Sequence, residues 1–277
     1  MSNYLKLVNF ELNRFIKLYM VLIGVTIVSQ LVGAVLVSRR YLKDANQAIY
    51  EDGMSQASFI EQFGQFSFYD FGMSLWFVGP IALSIVVLLI YVFFIWYRDW
   101  FAKNTFIYRL LTLPTARLNV YLSKATTIFL MVLGLVALQL ILIPIESRVL
   151  EWMVPLDFRN DLSLDQIIEQ LHVMSVLIPQ SILQFIRNFG IGFMSVFIVF
   201  TAILLERSFK WKGILLGILY GAFTIGLYVL PGVLESLISP GYFYQSEKFF
   251  IAIAMVVIIS SLSIWLGRLL LKYKVTV

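Results

Sequence analysis

The chain has 277 residues, 60% of them hydrophobic and 13% charged, with a formal net charge of +5 and no cysteine. Its charged fraction is about half that of an average soluble domain, and the missing cysteines exclude disulfides, thiol catalysis and thiolate metal sites. The positive excess could serve nucleic acid or an acidic substrate, but its placement beside apolar runs marks membrane orientation instead.

Six runs contain no Asp, Glu, Lys, Arg or His: 18–37, 75–97, 125–145, 188–205, 213–234 and 249–266. As helix, at 1.5 Å per residue, such runs cover about 27 to 35 Å, matching a hydrocarbon core about 30 Å thick. They predict an all-α integral membrane protein with six transmembrane helices in one domain, 1–277. The remaining stretches, the longest being 38–74 and 146–187, are too short for a separate aqueous domain.

Ahead of the first run, Leu5, Val8, Leu12, Phe15, Ile16 and Tyr19 fall on one helical face, with Lys6, Asn9, Asn13 and Lys17 largely on the other. Glu11 and Arg14 stand at i,i+3 and can pair. This pattern predicts an interfacial amphipathic helix before the first span. The run at 18–37 exceeds a signal-peptide core and has no small-residue cleavage site, so it is expected to stay. Beyond it, Arg39, Arg40 and Lys43 are expected to snorkel or to pair with Asp44, Glu51 and Asp52.

With the N-terminus inside, the cytoplasmic segments take Lys6, Arg14, Lys17, Arg98, Lys103, Arg109, Arg117, Lys124, Arg207, Lys210, Lys212, Arg268, Lys272 and Lys274. Those are 14 of the 21 basic residues, against 3 of the 16 acids, Glu11, Asp99 and Glu206. Both termini are therefore predicted to be cytoplasmic in a multi-pass protein of a cell membrane, a bacterial plasma membrane being expected.

Between the second and third runs, Phe106, Ile107, Leu110, Leu111 and Leu113 recur at helical spacing, with Lys103 and Arg109 nearby. Pro114 is expected to end that helix, and Arg117 and Lys124 lead into the third run. A short amphipathic helix of this kind suits docking onto a cytosolic partner, or resting on the bilayer through its aromatic and basic residues.

The run RLLTLPTAR followed by LSK, at this place among six spans, resembles the cytoplasmic signature of type-2 ABC exporter permeases. The matching residues are Asp99, Thr105, Leu110, Leu111, Pro114, Arg117 and Lys124; the chain departs with Asn104, where glycine is frequent, and with one extra residue between Thr105 and Pro114. The resemblance implies that Asp99, Lys103, Thr105, Arg109, Leu110, Leu111, Pro114 and Arg117 form a coupling helix that meets a cytosolic ABC ATPase subunit. It also implies a second permease subunit, identical or not, and makes the N-terminal segment with Glu11, Arg14 and Lys17 the family's elbow helix.

After the third run, Glu146, Glu151, Asp157, Asp161, Asp165 and Glu169 outnumber Arg148 and Arg159, as expected of a solvated outer loop. Ser163 with Gln166 reads as a capping box, and Leu164, Ile167, Ile168 and Leu171 supply an apolar stripe, so a helix is predicted on the outer membrane surface. Pro179 is expected to bend the chain before the fourth span, which Arg187 and Arg207 bracket. In the fifth span Gly213, Gly217 and Gly221 repeat every four residues, allowing close approach of another helix, within the subunit or at a subunit interface. Pro231-Gly232 and Pro240-Gly241 predict two short helical pieces between spans five and six, resembling the outer re-entrant hairpin of the same family; an interfacial aromatic belt with Tyr242, Phe243 and Tyr244 is the alternative.

Residues the chain lacks narrow the function. No ionisable group lies in the six runs, which argues against a proton relay or an intramembrane hydrolase. His172 is the only histidine, so no histidine metal site is expected, and no G-x-x-x-x-G-K-[ST] motif cradles nucleotide phosphates. The expected function is a non-catalytic permease subunit of an ATP-driven exporter moving an amphipathic peptide, drug or lipid-like cargo. ATP and magnesium would sit on the partner ATPase, the chain itself binding no cofactor, and membrane lipid, not nucleic acid, would be the other contact. The alternative is a membrane sensor or immunity protein that binds a peptide or lipid without transporting it.

Overall fold

A computed structural model describes residues 3–101, 106–112, 115–238 and 241–274. Among these the protein is almost entirely helical. In chain order it comprises α1 (Asn3–Tyr50), α2 (Gln56–Phe63), a two-residue strand β1 (Phe66–Ser67), α3 (Phe68–Gly72), α4 (Leu75–Phe101), α5 (Phe106–Leu111) and α6 (Arg117–Met153). A 3-10 turn (Leu156–Phe158) and β2 (Arg159–Asn160) follow, then α7 (Leu164–Gln170), α8 (His172–Leu177), α9 (Ile182–Phe209), α10 (Trp211–Ile238) and α11 (Gln245–Tyr273).

Six helices, α1, α4, α6, α9, α10 and α11, are long and apolar enough to cross a membrane, and each contains one of the predicted runs. Their most apolar windows are only 17 to 39% buried within the protein, and side chains such as Val28, Ile90, Leu215 and Ile218 are more than half exposed. Such faces are stable in hydrocarbon and costly in water. Chain contacts divide the protein into two compact units: 1–15, 88–131 and 179–277 form the first, and 16–87 and 132–178 the second.

In the first unit, α9 packs along both α10 and α11. Pro179 cannot extend the preceding helix, and α9 restarts at Ser181, whose hydroxyl accepts the Gln184 N–H at 3.2 Å. Met194 and Ile198 of α9 meet Val256 and Ile259 of α11 in a buried cluster. Tyr121 of α6 stacks on Phe197 and donates its hydroxyl to the Phe197 carbonyl at 3.0 Å, while Thr201 donates to the Ser263 carbonyl at 3.1 Å. These bonds give polar groups among apolar helices the partners that lipid cannot supply.

Within α10, Gly213 and Gly217 lie against α9. A Cβ on Gly213 would come 2.1 Å from the Leu205 carbonyl oxygen, and one on Gly217 would come 3.1 Å from that of Ala202. Gly221 has nothing within 4 Å of such a Cβ. The first two glycines thus serve packing inside the subunit, and the third does not.

In the second unit, the segments predicted as modest loops fold together. Phe66 pairs with Arg159 and Ser67 with Asn160 in a parallel two-stranded bridge. Phe66, Phe68, Phe71 and Phe77 share one core with Ile143, Leu150 and Val154 of the α6 end and Ile167, Leu171 and Met174 of α7 and α8. Ala45 and Ala48 of α1 hold Phe59 of α2 in a second cluster. The capping box at Ser163 and Gln166 is formed, with Ile167 and Ile168 buried. Deeper along α1 and α6, Gln30 and Gln139 exchange amide hydrogen bonds at 3.2 and 3.3 Å.

Three expectations are corrected. The N-terminal amphipathic segment is not a separate elbow: α1 runs 48 residues from Asn3 to Tyr50 without a break. Its inward face is Leu7, Val8, Glu11 and Phe15, whereas Leu5 and Ile16 are exposed; the ion pairs of Glu11 described below turn that side inward. The Pro231-Gly232 break does not form either, since α10 continues through Pro231 to Ile238. A proline costs a membrane helix little where neighbouring groups re-satisfy the freed carbonyl. Pro240 lies outside the described residues.

The third correction concerns Glu146, predicted to lie in a solvated loop. It lies inside α6, is fully buried, and neither carboxyl oxygen has a hydrogen-bond partner among the described residues. Ile143 and Leu150, one turn to either side, belong to the aromatic core. Glu146→Leu is expected to stabilise the protein by about 1–3 kcal/mol, because an unpaired buried polar group is removed. Thermal unfolding in detergent measures this; a lower unfolding temperature would show that the carboxyl has a stabilising role.

Candidate functional site

Five charged side chains from three helices converge in the first unit: Glu11 and Arg14 of α1, Arg98 and Asp99 at the end of α4, and Lys124 near the start of α6. Lys124 and Asp99 are fully buried and Glu11 nearly so. The Lys124 ammonium has three N–H donors and three acceptors: Glu11 Oε1 at 2.6 Å, Asp99 Oδ2 at 2.5 Å and the Ile95 carbonyl at 3.0 Å. Asp99 takes Arg14 Nη1 on its other oxygen at 2.7 Å, and Glu11 takes Arg98 Nη2 at 2.9 Å. The anticipated Glu11–Arg14 pair is present at 3.7 Å but is the longest link.

Cations and anions therefore alternate, each carboxylate bridging Lys124 to an arginine. Lys124 is buried because its charge is matched on two sides; an isolated ammonium there would be lost to desolvation. The two arginines, about one-fifth exposed, carry the remaining positive charge toward the rim. Aromatic rings line the cluster: Trp96 lies 5.3 Å from the Lys124 ammonium, and Arg98 stands over Tyr91 and Phe94.

The short helix α5 is attached to this cluster. Phe106 and Leu110 pack with Leu7 of α1 and Val120 of α6, and the Arg14 guanidinium lies 5.1 Å from the rings of both Phe10 and Phe106. Ile107, Leu110 and Leu111 are buried, which leaves Arg109 exposed. The described part of the amphipathic face read from the sequence is thus directed against the protein, Leu113 lying outside the described residues.

The sequence-predicted site residues divide accordingly. Asp99 is a member of the cluster, and Leu110 and Leu111 seat α5. Arg117 opens α6 and donates Nη1 to the Leu271 carbonyl at 2.7 Å, satisfying one of the free carbonyls at the end of α11. Lys17 is exposed on α1 and is not a member of the ion-pair network among the described residues. Lys103, Thr105 and Pro114 lie outside the described residues, as does Asn104. Arg98 was not singled out from the sequence, and Lys124 only as part of a motif. Their available signal was position: Arg98, Asp99 and Lys124 abut apolar runs, where a charge either snorkels or is paired.

No group of three or more His, Cys, Asp or Glu side chains able to hold a metal occurs among the described residues. Comparison of the chain with protein-family models, curated proteins and solved structures finds no match.

Proposed function

We propose that the chain is the permease subunit of an ATP-driven exporter of the type-2 ABC class. The observation that carries this reading is α5, a short helix whose apolar side is seated on α1 and α6 and whose Arg109 is exposed. A helix anchored on one side and charged on the other suits transmission of force from a soluble partner to long helices. The ion cluster ties the ends of α1, α4 and α6 into one stiff joint, so displacement of α5 would move three helices together rather than bend one. Such packed elements exchange between discrete arrangements.

In this reading both termini and α5 face the cytoplasm of a bacterial plasma membrane, and a cytosolic ATPase carrying ATP and magnesium docks on Arg109 and the neighbouring residues. A second permease subunit completes the pathway, and the loop between α10 and α11 faces outward. The cargo is amphipathic: a peptide, a drug or a lipid-like molecule. The protein acts as a non-catalytic subunit.

Arg109→Glu tests the proposal. Expressed in its native membranes and purified in detergent with whichever ABC ATPase accompanies the wild type, the variant is expected to keep its unfolding temperature while losing at least roughly tenfold in ATPase association, a charge reversal at a docking contact being worth more than 1.4 kcal/mol. Undiminished association, or a wild-type chain that never co-purifies with an ATPase, would defeat it.

A further inference from the structure

We propose that the rim formed by the α9–α10 turn and the last turns of α11 binds the phosphate headgroups of anionic phospholipids. Lys210 and Lys212 lie at the turn, and Arg268, Lys272 and Lys274 at the end of α11; all are exposed. The Lys274 ammonium lies 5.5 Å from the Phe209 ring, which brings the two segments to one edge of the first unit. The nearest acid in sequence to the turn, Glu206, already accepts a hydrogen bond from Tyr97 and stands 3.7 Å from Arg207. None of the five exposed cations has a carboxylate within ion-pair distance among the described residues.

Exposed aromatic rings are interleaved with these charges. Trp211 is 86% exposed, Tyr273 60% and Phe209 38%. An acidic protein would match the charges but not the rings, whereas aromatic side chains beside lysines fit the headgroup layer of a bilayer. Lysine stems can run along the apolar helix ends while their ammonium groups reach phosphate. Lys210 adds an independent indication. It joins α9 to α10 with φ +54° and ψ −128°, backbone that glycine adopts freely and a side chain opposes. A lysine stands where glycine would be less strained, and backbone outliers of this kind cluster at positions with a function.

This inference needs only that the helices lie in a bilayer; it stands apart from the exporter reading. The full chain in non-ionic detergent, titrated with dioleoylphosphatidylglycerol or dioleoylphosphatidylcholine, is read by native mass spectrometry. Wild type is expected to favour the anionic lipid at least roughly tenfold, and to lose that preference as salt screens it. Lys210→Gly alone relaxes the backbone; it is expected to hold or raise the unfolding temperature while weakening anionic-lipid binding roughly fivefold. Adding Lys212→Gln, Lys272→Gln and Lys274→Gln should abolish the preference. Equal occupancy by the two lipids in the wild type, or an undiminished preference in the quadruple variant, overturns the proposal. So does a quadruple variant that keeps its lipid preference but loses a co-purifying acidic protein, which would assign the rim to that protein.

Discussion

Lys124→Met is expected to destabilise the protein by roughly 3–5 kcal/mol, the usual cost of removing one partner from a buried ion pair. The size of the effect follows from what remains. Without the ammonium, Glu11 and Asp99 stay buried with only their arginine partners left, and with like charges facing each other across the vacated position. Their burial leaves no water at hand to redress that. Thermal unfolding in detergent, with the amount of folded protein recovered from membranes, measures the loss. The triple variant Glu11→Gln, Asp99→Asn, Lys124→Met removes both the ammonium and its stranded counter-charges, and is expected to recover a large part of the stability. A single variant as stable as wild type would mean that the alternating network does not hold the three helices. A triple variant as damaged as the single one would mean that the loss came from packing around Trp96 rather than from charge.

Gly213→Ala is the second large effect, with an expected destabilisation of about 1–3 kcal/mol or more from overpacking. The added methyl would lie 2.1 Å from the Leu205 carbonyl oxygen and 2.7 Å from the Glu206 Cα. Both are backbone atoms of α9 and cannot rotate away, so the two helices must separate. Gly221→Ala, eight residues later on the same helix, meets nothing within 4 Å. It is expected to be neutral or to stabilise by up to about 1 kcal/mol through helix propensity. The contrast in unfolding temperature between these two alanines is the measurement. Equal effects would show that the α9–α10 contact is looser than the glycine geometry requires.

Those glycines illustrate where sequence reading stops. A four-residue repeat states that one face is smooth, but which glycine meets a helix depends on where α9 lies, and α9 is placed by Met194, Ile198 and their partners on α11. Pro231 carries the same lesson: a turn signal in isolation, it is absorbed into α10 because the flanking apolar residues favour continued helix. Glu146 looked like the first residue of an acidic loop, yet the aromatic core beneath it draws α6 onward to Met153.

The six apolar runs determine, without any tertiary information, that this is an all-α protein with six helices able to cross a membrane, because hydrocarbon thickness and helix rise leave little other use for them. Local signals of short range were equally legible: the Ser163 capping box, the helix break at Pro179 and the apolar side of α5. Only the tertiary structure decided that Glu11, Asp99 and Lys124 share a single buried site. They lie up to 113 residues apart in sequence, and Coulomb attraction acts over a few ångströms of space, which linear spacing does not encode. For the same reason the face of α1 that turns inward was settled by its ionic partners on α4 and α6, not by its own apolar periodicity.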